Sequence, residues 1–194
     1  MKRKVKVGVL ISGRGSNMSA LIAAAKAEDY PAEIALVIAN VPDAGGLQAA
    51  RTEGVEAIAI DSRPFGKDRQ AHEQAMDAAL RAAGVEVICL AGFMRLLTPW
   101  FVDAWSGRML NIHPSLLPDF KGLHTHARAI AAGKEEAGCT VHVVTADLDD
   151  GPILGQARVP VLPGDDETTL AARVLTEEHR LYPKCLAAFC RALA

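Results

Sequence analysis

Hydrophobic and polar residues alternate along the chain in blocks that predict strands separated by helices. Short apolar runs predict the strands, and stretches with apolar residues at every third or fourth position predict amphipathic helices. This alternation favours an α/β fold, a Rossmann-like open, twisted and mostly parallel sheet with helices on both faces. The predicted strands are 5–12, 33–39, 55–60, 85–90, 109–113, 139–144 and 153–161, and the predicted helices are 18–25, 45–53, 68–83 and 168–194, with further helix starts at 98 and near 125.

The strand 109–113 carries the first candidate chemistry. Pro114 ends the strand, so Asn111 and His113 fall at its carboxyl end with their side chains on the same face. Open α/β sheets bind ligands at that end. An amide beside an imidazole, with no Ser or Cys placed as a nucleophile, suits stabilisation and reprotonation of a tetrahedral oxyanion in direct acyl transfer. Taken alone, the two residues also fit a capped turn with a surface histidine.

A glycine-containing loop, residues 13–17, connects the first strand to the first helix. Glycines let backbone amides approach a phosphate, and a helix N-terminus adds a favourable dipole, although a tight turn that binds nothing needs the same glycines. The third glycine and the acidic residue of a dinucleotide site are missing, since the second strand ends at Asn40, and so is the lysine of a P-loop. A monophosphate is the better candidate ligand.

Two further segments lie beside predicted strands. The unbranched run from Met94 to Leu97 follows the central strand 85–90, where it would line a slot for a flat aromatic ligand or simply belong to the core. Asp68, Arg69 and Glu73 in the helix 68–83 are expected to form a solvated charged face.

The strand 139–144 alternates in pattern and places Thr140 and His142 on one face. The acidic turn after it contains Asp149, the acceptor that an active imidazole needs, although an ordinary acidic turn has the same composition. His124 and His126 lack a third ligand or a nearby cysteine, so no metal site is predicted.

Composition narrows the class of protein. A chain of 194 residues with 50% hydrophobic content can bury one α/β core, so residues 1–194 are expected to form a single domain. A net charge of -2 without a basic patch predicts no nucleic acid partner, and no segment approaches the roughly 20 apolar residues of a membrane span. The cysteines have no CxxC spacing and fit buried thiols in a reducing cytoplasm; they are Cys89, Cys139, Cys185 and Cys190.

Several motifs together are similar to those of the glycinamide ribonucleotide formyltransferase family, folate-dependent enzymes of purine biosynthesis. The main ones are 11–17 (Ile-Ser-Gly-Arg-Gly-Ser-Asn), 91–95 (Ala-Gly-Phe-Met-Arg) and 111–118 (Asn-Ile-His-Pro-Ser-Leu-Leu-Pro), and further matches are 122–126, 148–152, Glu178-His179 and Tyr182-Pro183. They cover nearly the whole chain, and their order and spacing make the combination specific. Asp150 is a departure, since the family often has glycine there.

The resemblance implies transfer of the formyl group of 10-formyltetrahydrofolate, as co-substrate, to the amine of 5-phosphoribosylglycinamide, with no metal. It implies a phosphate-binding half, 1–90, and a folate-binding and catalytic half, 91–194. The implied catalytic residues are Asn111, His113 and Asp149. Those implied to bind phosphoribosylglycinamide are Gly15, Ser16, Asn17 and Glu178; those implied to bind folate are Arg69, Met94, Arg95, Leu96, Leu97 and Asn111; Thr140 and His142 would support them. The partners would be small molecules, with the chain a monomer or a homodimer.

In the implied reaction the amine attacks the formyl carbon directly. Asn111 would donate to the oxyanion, and protonated His113 would stabilise it and help to move a proton to the departing folate nitrogen. Asp149 would orient the ring and favour its charged form.

Other functions remain open at this point. Formyltetrahydrofolate hydrolase would use a similar Asn-His-Asp set to direct water at the formyl carbon, but water needs no phosphate cradle. Methionyl-tRNA formyltransferase fits less well, because a basic region for tRNA is missing. A non-catalytic folate-binding or phosphate-binding module could dispense with Asn111, His113 and Asp149, and all three are present.

Overall fold

A computed structural model describes residues 3–193 and has a seven-stranded sheet at its centre. The strands are β1 Val5–Ile11, β2 Ala32–Ala39, β3 Ala57–Ala59, β4 Val87–Leu90, β5 Met109–His113, β6 Glu136–Val143 and β7 Ile153–Pro160. The helices are α1 Ser16–Ala25, α2 Gly45–Thr52, α3 Arg69–Ala82, α4 Pro99–Ala104, α5 Thr125–Ala131 and α6 Glu167–Leu193. Ala194, the last residue of the predicted final helix, lies outside the described residues.

The strand order is β3-β2-β1-β4-β5-β6-β7, and it reverses between β1 and β4. The five strands from β3 to β5 are parallel to their neighbours. In such a sheet the loops after β1 and β4 diverge and leave a crevice at the carboxyl edge, where ligands bind. The predicted α/β fold with a mostly parallel sheet is confirmed.

The sheet changes direction after β5, since β6 is antiparallel to β5 and β7 is antiparallel to β6. His142 lies opposite Asn111, and Thr140 lies opposite His113. Directly opposed residues have their side chains on the same face, so β6 adds two polar side chains to the pair on β5.

Buried side chains cover both faces of the sheet. On one face, α1, α2 and α6 pack against alternate residues of β1, including Val7 and Val9. On the other face, α3 and α4 pack against Leu10 of β1 and Ile88 of β4. Strands buried on both sides explain the continuous apolar runs in the sequence.

Two strands begin later than predicted, for the same reason. The backbone N–H of Val55 donates to Ala50, and that of Val85 donates to Leu80, in each case closing the preceding helix after a glycine. The glycines, Gly54 and Gly84, have positive φ, as a Schellman helix end requires. The valines therefore end helices, and β3 and β4 begin two residues further on. A short 3-10 turn, Arg63–Phe65, also lies in the predicted loop 61–66.

The long closing helix α6 packs on the sheet, and among residues 3–193 no helix combines the length and the apolar character that crossing a bilayer demands.

Candidate active site

Four polar side chains predicted from the sequence meet at the ends of β5 and β6. They are Asn111 and His113 on β5, His142 on β6, and Asp149 in the turn between β6 and β7. Asp149 Oδ2 lies 3.4 Å from His113 Nδ1, and its Oδ1 lies 3.8 Å from His142 Nε2. His113, His142 and Asp149 are buried, whereas Asn111 remains partly exposed. The amide is therefore the member of the group that a ligand reaches most easily.

The His113 ring has an acceptor group beside each of its nitrogens. Its Nε2 donates to the backbone carbonyl of Phe120 at 2.9 Å, while its Nδ1 faces Asp149. A carbonyl and a carboxylate both accept, so an imidazolium, with an N–H on each nitrogen, satisfies both neighbours. Phe120 had no signal in the sequence, because it acts through its backbone.

His142 sets the orientation of the Asn111 amide. Its Nδ1 donates to the carbonyl of Val143 at 3.1 Å, which leaves Nε2 as an acceptor in the neutral ring. Burial lowers the pKa of His142 and so favours the neutral form, although the hydrogen bond to the Val143 carbonyl and the charge of Asp149 oppose the shift. Asn111 Nδ2 lies 3.3 Å from that acceptor. One hydrogen of the amide is thereby engaged, and the other is free for a ligand.

The turn that carries Asp149 is tightly constrained. Asp149 has a left-handed φ of 50°, and its Oδ2 accepts a hydrogen bond of 2.9 Å from the backbone N–H of Gly122. A methyl group on Gly151 would overlap with the backbone carbonyl of Val143. Asp150, the departure from the family pattern, forms an ion pair with Lys121. Side chains of both acidic residues thus connect this turn to the segment around Gly122.

Thr140 supports the site through the backbone that follows His113. Its hydroxyl donates to the carbonyl of Ser115 at 2.7 Å and accepts from the N–H of Leu117 at 3.1 Å. Gln156 on β7, which the sequence analysis missed, donates to the Leu117 carbonyl at 2.8 Å and to Thr140 at 3.0 Å. A neutral amide in the middle of a predicted strand was the available signal for it.

The glycine loop and α6 form a second polar group. Gly15 has a left-handed φ of 69° and precedes α1, whose first turn leaves backbone N–H groups for a ligand. Asn17 Nδ2 donates to Glu178 Oε2 at 2.7 Å, and Asn17 Oδ1 is buried with no hydrogen-bond partner. Burial raises the pKa of Glu178, while Asn17 opposes the shift. The Asn17 side chain therefore offers an acceptor to a ligand, and a phosphate would be bound by backbone N–H groups.

Two side chains of the predicted folate segment are open to solvent, whereas Leu97 is partly buried and packs against the core. Met94 is 72% exposed and Leu96 is 62% exposed. Arg69 Nη1 donates to the Leu96 carbonyl at 3.3 Å, so the structure brings Arg69 to this segment. A recess of about 450 Å³ lies here; it is lined by Gly66, Lys67, Arg69, Arg95 and Leu96. Neither Met94 nor Leu97 lines it.

The prediction that Glu73 lies on a solvated charged face is wrong. It is 2% exposed, and its carboxylate accepts hydrogen bonds from the Thr98 backbone N–H, at 2.8 Å, and from the Thr98 hydroxyl. Thr98 in turn caps α4, as predicted. The prediction was wrong because the partner of Glu73, Thr98, caps another helix, and helical periodicity alone does not reveal such a partner.

The two histidines considered for a metal lie at the start of α5. His124 is exposed and His126 is half-buried, and burial lowers the pKa of His126. Over the described range 3–193, no three His, Cys, Asp or Glu side chains are grouped in a way that could hold a metal ion.

Comparison with known proteins identifies the family of the chain. The pattern of the family described as formyl transferase matches residues 5–186. Phosphoribosylglycinamide formyltransferase from Escherichia coli (strain K12) is 44% identical over 185 residues, which cover 95% of this chain and 87% of that protein. The crystal structure of phosphoribosylglycinamide formyltransferase from Brucella melitensis has a TM-score of 0.93 and 53% identity, covering 97% of this chain and 96% of that one.

Some relatives are much longer proteins. The trifunctional purine biosynthetic protein adenosine-3 of Drosophila melanogaster is 46% identical over 188 residues, which cover 96% of this chain but 14% of that protein. Across four such relatives the chain spans between 13% and 18% of their length. Matches of this extent, together with the shared fold, show that the chain belongs to the formyl transferase family.

Proposed function

We propose that the chain is an enzyme that transfers the formyl group of 10-formyltetrahydrofolate to the amine of phosphoribosylglycinamide. The observation that carries the proposal is the His113 ring, which lies 3.4 Å from Asp149 and on the same strand end as the Asn111 amide. Relatives with 42–44% identity are named phosphoribosylglycinamide formyltransferase, which supports transfer rather than hydrolysis.

The reaction begins with attack by the amine nitrogen on the formyl carbon. The new C–N bond forms as the carbonyl π pair moves onto oxygen, which gives an oxyanion and an ammonium in one tetrahedral intermediate. The free N–H of Asn111 donates to this oxygen, and the positive charge of protonated His113 stabilises it. Asp149 compensates for the charge on the buried ring.

The intermediate then collapses towards products. The carbonyl re-forms, the bond from the formyl carbon to the folate nitrogen breaks, and that nitrogen takes up a proton while the ammonium loses one. His113 assists this transfer as general acid and base when its Nε2 leaves the Phe120 carbonyl, and no proton is gained or lost overall. Asn111 thus donates to the same oxygen atom in the formyl group of the donor and in the oxyanion.

The two substrates occupy opposite sides of these residues. The phosphate of phosphoribosylglycinamide binds the backbone N–H groups of Gly15 and Ser16, and its ribose hydroxyl groups donate to Asn17 and Glu178, whose free oxygens are acceptors. The pterin of the folate packs along the segment from Met94 to Leu97, in which the side chains of Met94 and Leu96 are exposed.

The remainder of the folate extends towards cations at the outer end of that segment. Lys67, Arg69 and Arg95 line the open recess there, and an anionic tail would neutralise them. Thr140 and His142 support the catalytic residues and are not expected to touch either substrate.

The state of the cysteines and the nature of the substrates indicate the compartment and the partners of the enzyme. All four cysteines are free and buried, which fits a reducing compartment, and we assign the enzyme to the cytoplasm. Its partners are small molecules, and it acts as a monomer or a homodimer.

A single assay tests the proposal. Purified protein is mixed with 10-formyltetrahydrofolate, with and without phosphoribosylglycinamide, and release of tetrahydrofolate is followed. Release that requires the ribonucleotide is the expected result. Equal release without it would identify a hydrolase, and no release in either mixture would contradict formyl transfer altogether.

A further inference from the structure

Ser12 connects the two proposed substrate sites directly. It follows the last residue of β1 and precedes the glycine loop 13–17. Its Oγ accepts a hydrogen bond of 2.8 Å from the backbone N–H of Met94, in the segment proposed for the folate. One hydroxyl group therefore joins the start of the phosphate loop to the start of the folate segment.

The direction of this hydrogen bond is fixed by Asn40. The Ser12 hydroxyl donates to Asn40 Oδ1 at 2.6 Å, and an amide oxygen only accepts. Asn40 is buried, and its backbone carbonyl accepts from the N–H of Ser62 at 3.1 Å. The lone pairs of Ser12 are thus left for Met94.

At this end of the folate segment the preceding Phe93 packs against the core, whereas the Met94 side chain itself has few constraints. Met94 is 72% exposed, so little side-chain packing restrains it. The far end is held separately, by Arg69 at the Leu96 carbonyl and by Glu73 at Thr98. Ser12 is consequently the polar side chain that carries a change in the glycine loop to Met94.

We infer that Ser12 is a positioning residue that couples the two sites, so that each substrate strengthens binding of the other. A ligand that orders the glycine loop also orders Met94, and the second ligand then loses less conformational entropy when it binds. Linkage requires the two effects to be equal. This inference rests on the proposed function.

Calorimetric titration tests the coupling. The Kd of phosphoribosylglycinamide is measured with and without saturating tetrahydrofolate, in the wild type and in Ser12→Ala. Loss of one net hydrogen bond corresponds to roughly a 2- to 10-fold change, so we expect a Kd ratio of that size in the wild type and a ratio near 1 in the variant. Ser62→Ala is the matched control, because Ser62 also neighbours Asn40 but does not contact Met94, and it should keep the wild-type ratio.

The outcomes separate the possible explanations. If Ser12 only stabilises the fold, Ser12→Ala weakens both ligands while the ratio stays unchanged, and the inference is wrong. A wild-type ratio of 1 would also overturn it. If Ser12→Ala does not fold, Ser12→Cys is used, because its thiol has a similar volume but is a poor hydrogen-bond acceptor. We expect Ser12→Cys to reduce the Kd ratio, and an unchanged ratio would contradict coupling. A wild type that binds neither ligand overturns the proposed function itself.

Discussion

The neutral ring of His142 accepts a hydrogen bond from Asn111, with 3.3 Å between Nε2 and Nδ2. The ring can accept because its Nδ1 donates to Val143 and because burial lowers its pKa. The side chain that we expect to bind the oxyanion is thus aimed by the protein before any substrate arrives, which is how preorganised donors stabilise developing charge.

Replacing His142 tests this orientation. We expect His142→Ala to lower kcat by roughly 10-fold, less than loss of the donor itself, with little change in either KM. Steady-state kinetics measures the effect. In a background of Asn111→Ala, which we expect to lower kcat by about 10²- to 10³-fold, the His142 substitution should have no further effect; an additive loss would show that the two residues act independently.

The free energy of unfolding should depend on pH through the titration of His142. The pKa of His142 in the folded protein is below its usual value of 6.5, so its contribution to stability is complete above pH 6.5 and is lost as pH falls through the lowered value. Burial lowers the pKa of His126 and His179 as well, with the same sign. We expect the free energy of unfolding, measured with urea, to decrease from about pH 7.5 to about pH 5.5.

The contribution of His142 to this slope can be isolated. In His142→Ala the decrease should be smaller, whereas an identical decrease would assign the pH dependence to other groups. Glu178 opposes the trend, since its raised pKa favours the folded state at low pH, but it does so equally in both proteins.

The carboxylate behind His113 is expected to be essential for rate. Asp149→Asn keeps the size of the side chain but removes the negative charge, and we expect kcat to fall by about 10²- to 10³-fold. Asp147→Asn, in the same turn but exposed, is the matched control and should retain normal turnover. Near-normal turnover in Asp149→Asn would remove this residue from the mechanism.

Glu178 should contribute to the binding of phosphoribosylglycinamide but lower the stability of the folded protein near neutral pH. Its folded pKa is raised above the usual 4.5, so its contribution to stability is complete below pH 4.5 and is lost as pH rises through the raised value. Glutamine can still accept from Asn17 and carries no buried charge. We therefore expect Glu178→Gln to melt no lower than the wild type at about pH 7.5, while KM for phosphoribosylglycinamide rises by roughly 10-fold.

Thermal melts and steady-state kinetics check both effects. Glu177→Gln changes the neighbouring carboxylate, which pairs with Arg180 at the surface, and it should leave this KM unchanged. An unchanged KM in Glu178→Gln would place the ribonucleotide elsewhere.

The sequence allowed the family, the sheet and the meeting of Asn111 with His113 to be predicted, because these depend on local signals. Pro114 ends the strand, and residues two apart share a face. The antiparallel register that sets His142 opposite Asn111 is a long-range pairing, and only the face of His142 was predicted.

Contacts made through the backbone could not be predicted in the same way. The Phe120 carbonyl contacts His113 and the Gly122 N–H contacts Asp149, and neither contact depends on the side chain of Phe120 or Gly122. Glu73 was misassigned because helical periodicity does not reveal a partner, Thr98, that caps a different helix. The predicted roles of all the site residues in substrate binding, in catalysis and in support of the site remain predictions.

The hydrogen bond between Asn17 and Glu178 spans 161 positions of the chain. During synthesis from the amino terminus, the loop that we propose holds the phosphate emerges long before Glu178, which we propose completes its pocket. A growing polypeptide that lacks α6 would therefore lack one side of the proposed ribonucleotide pocket. Ligand affinity should therefore arise late in biosynthesis, when α6 docks against α1.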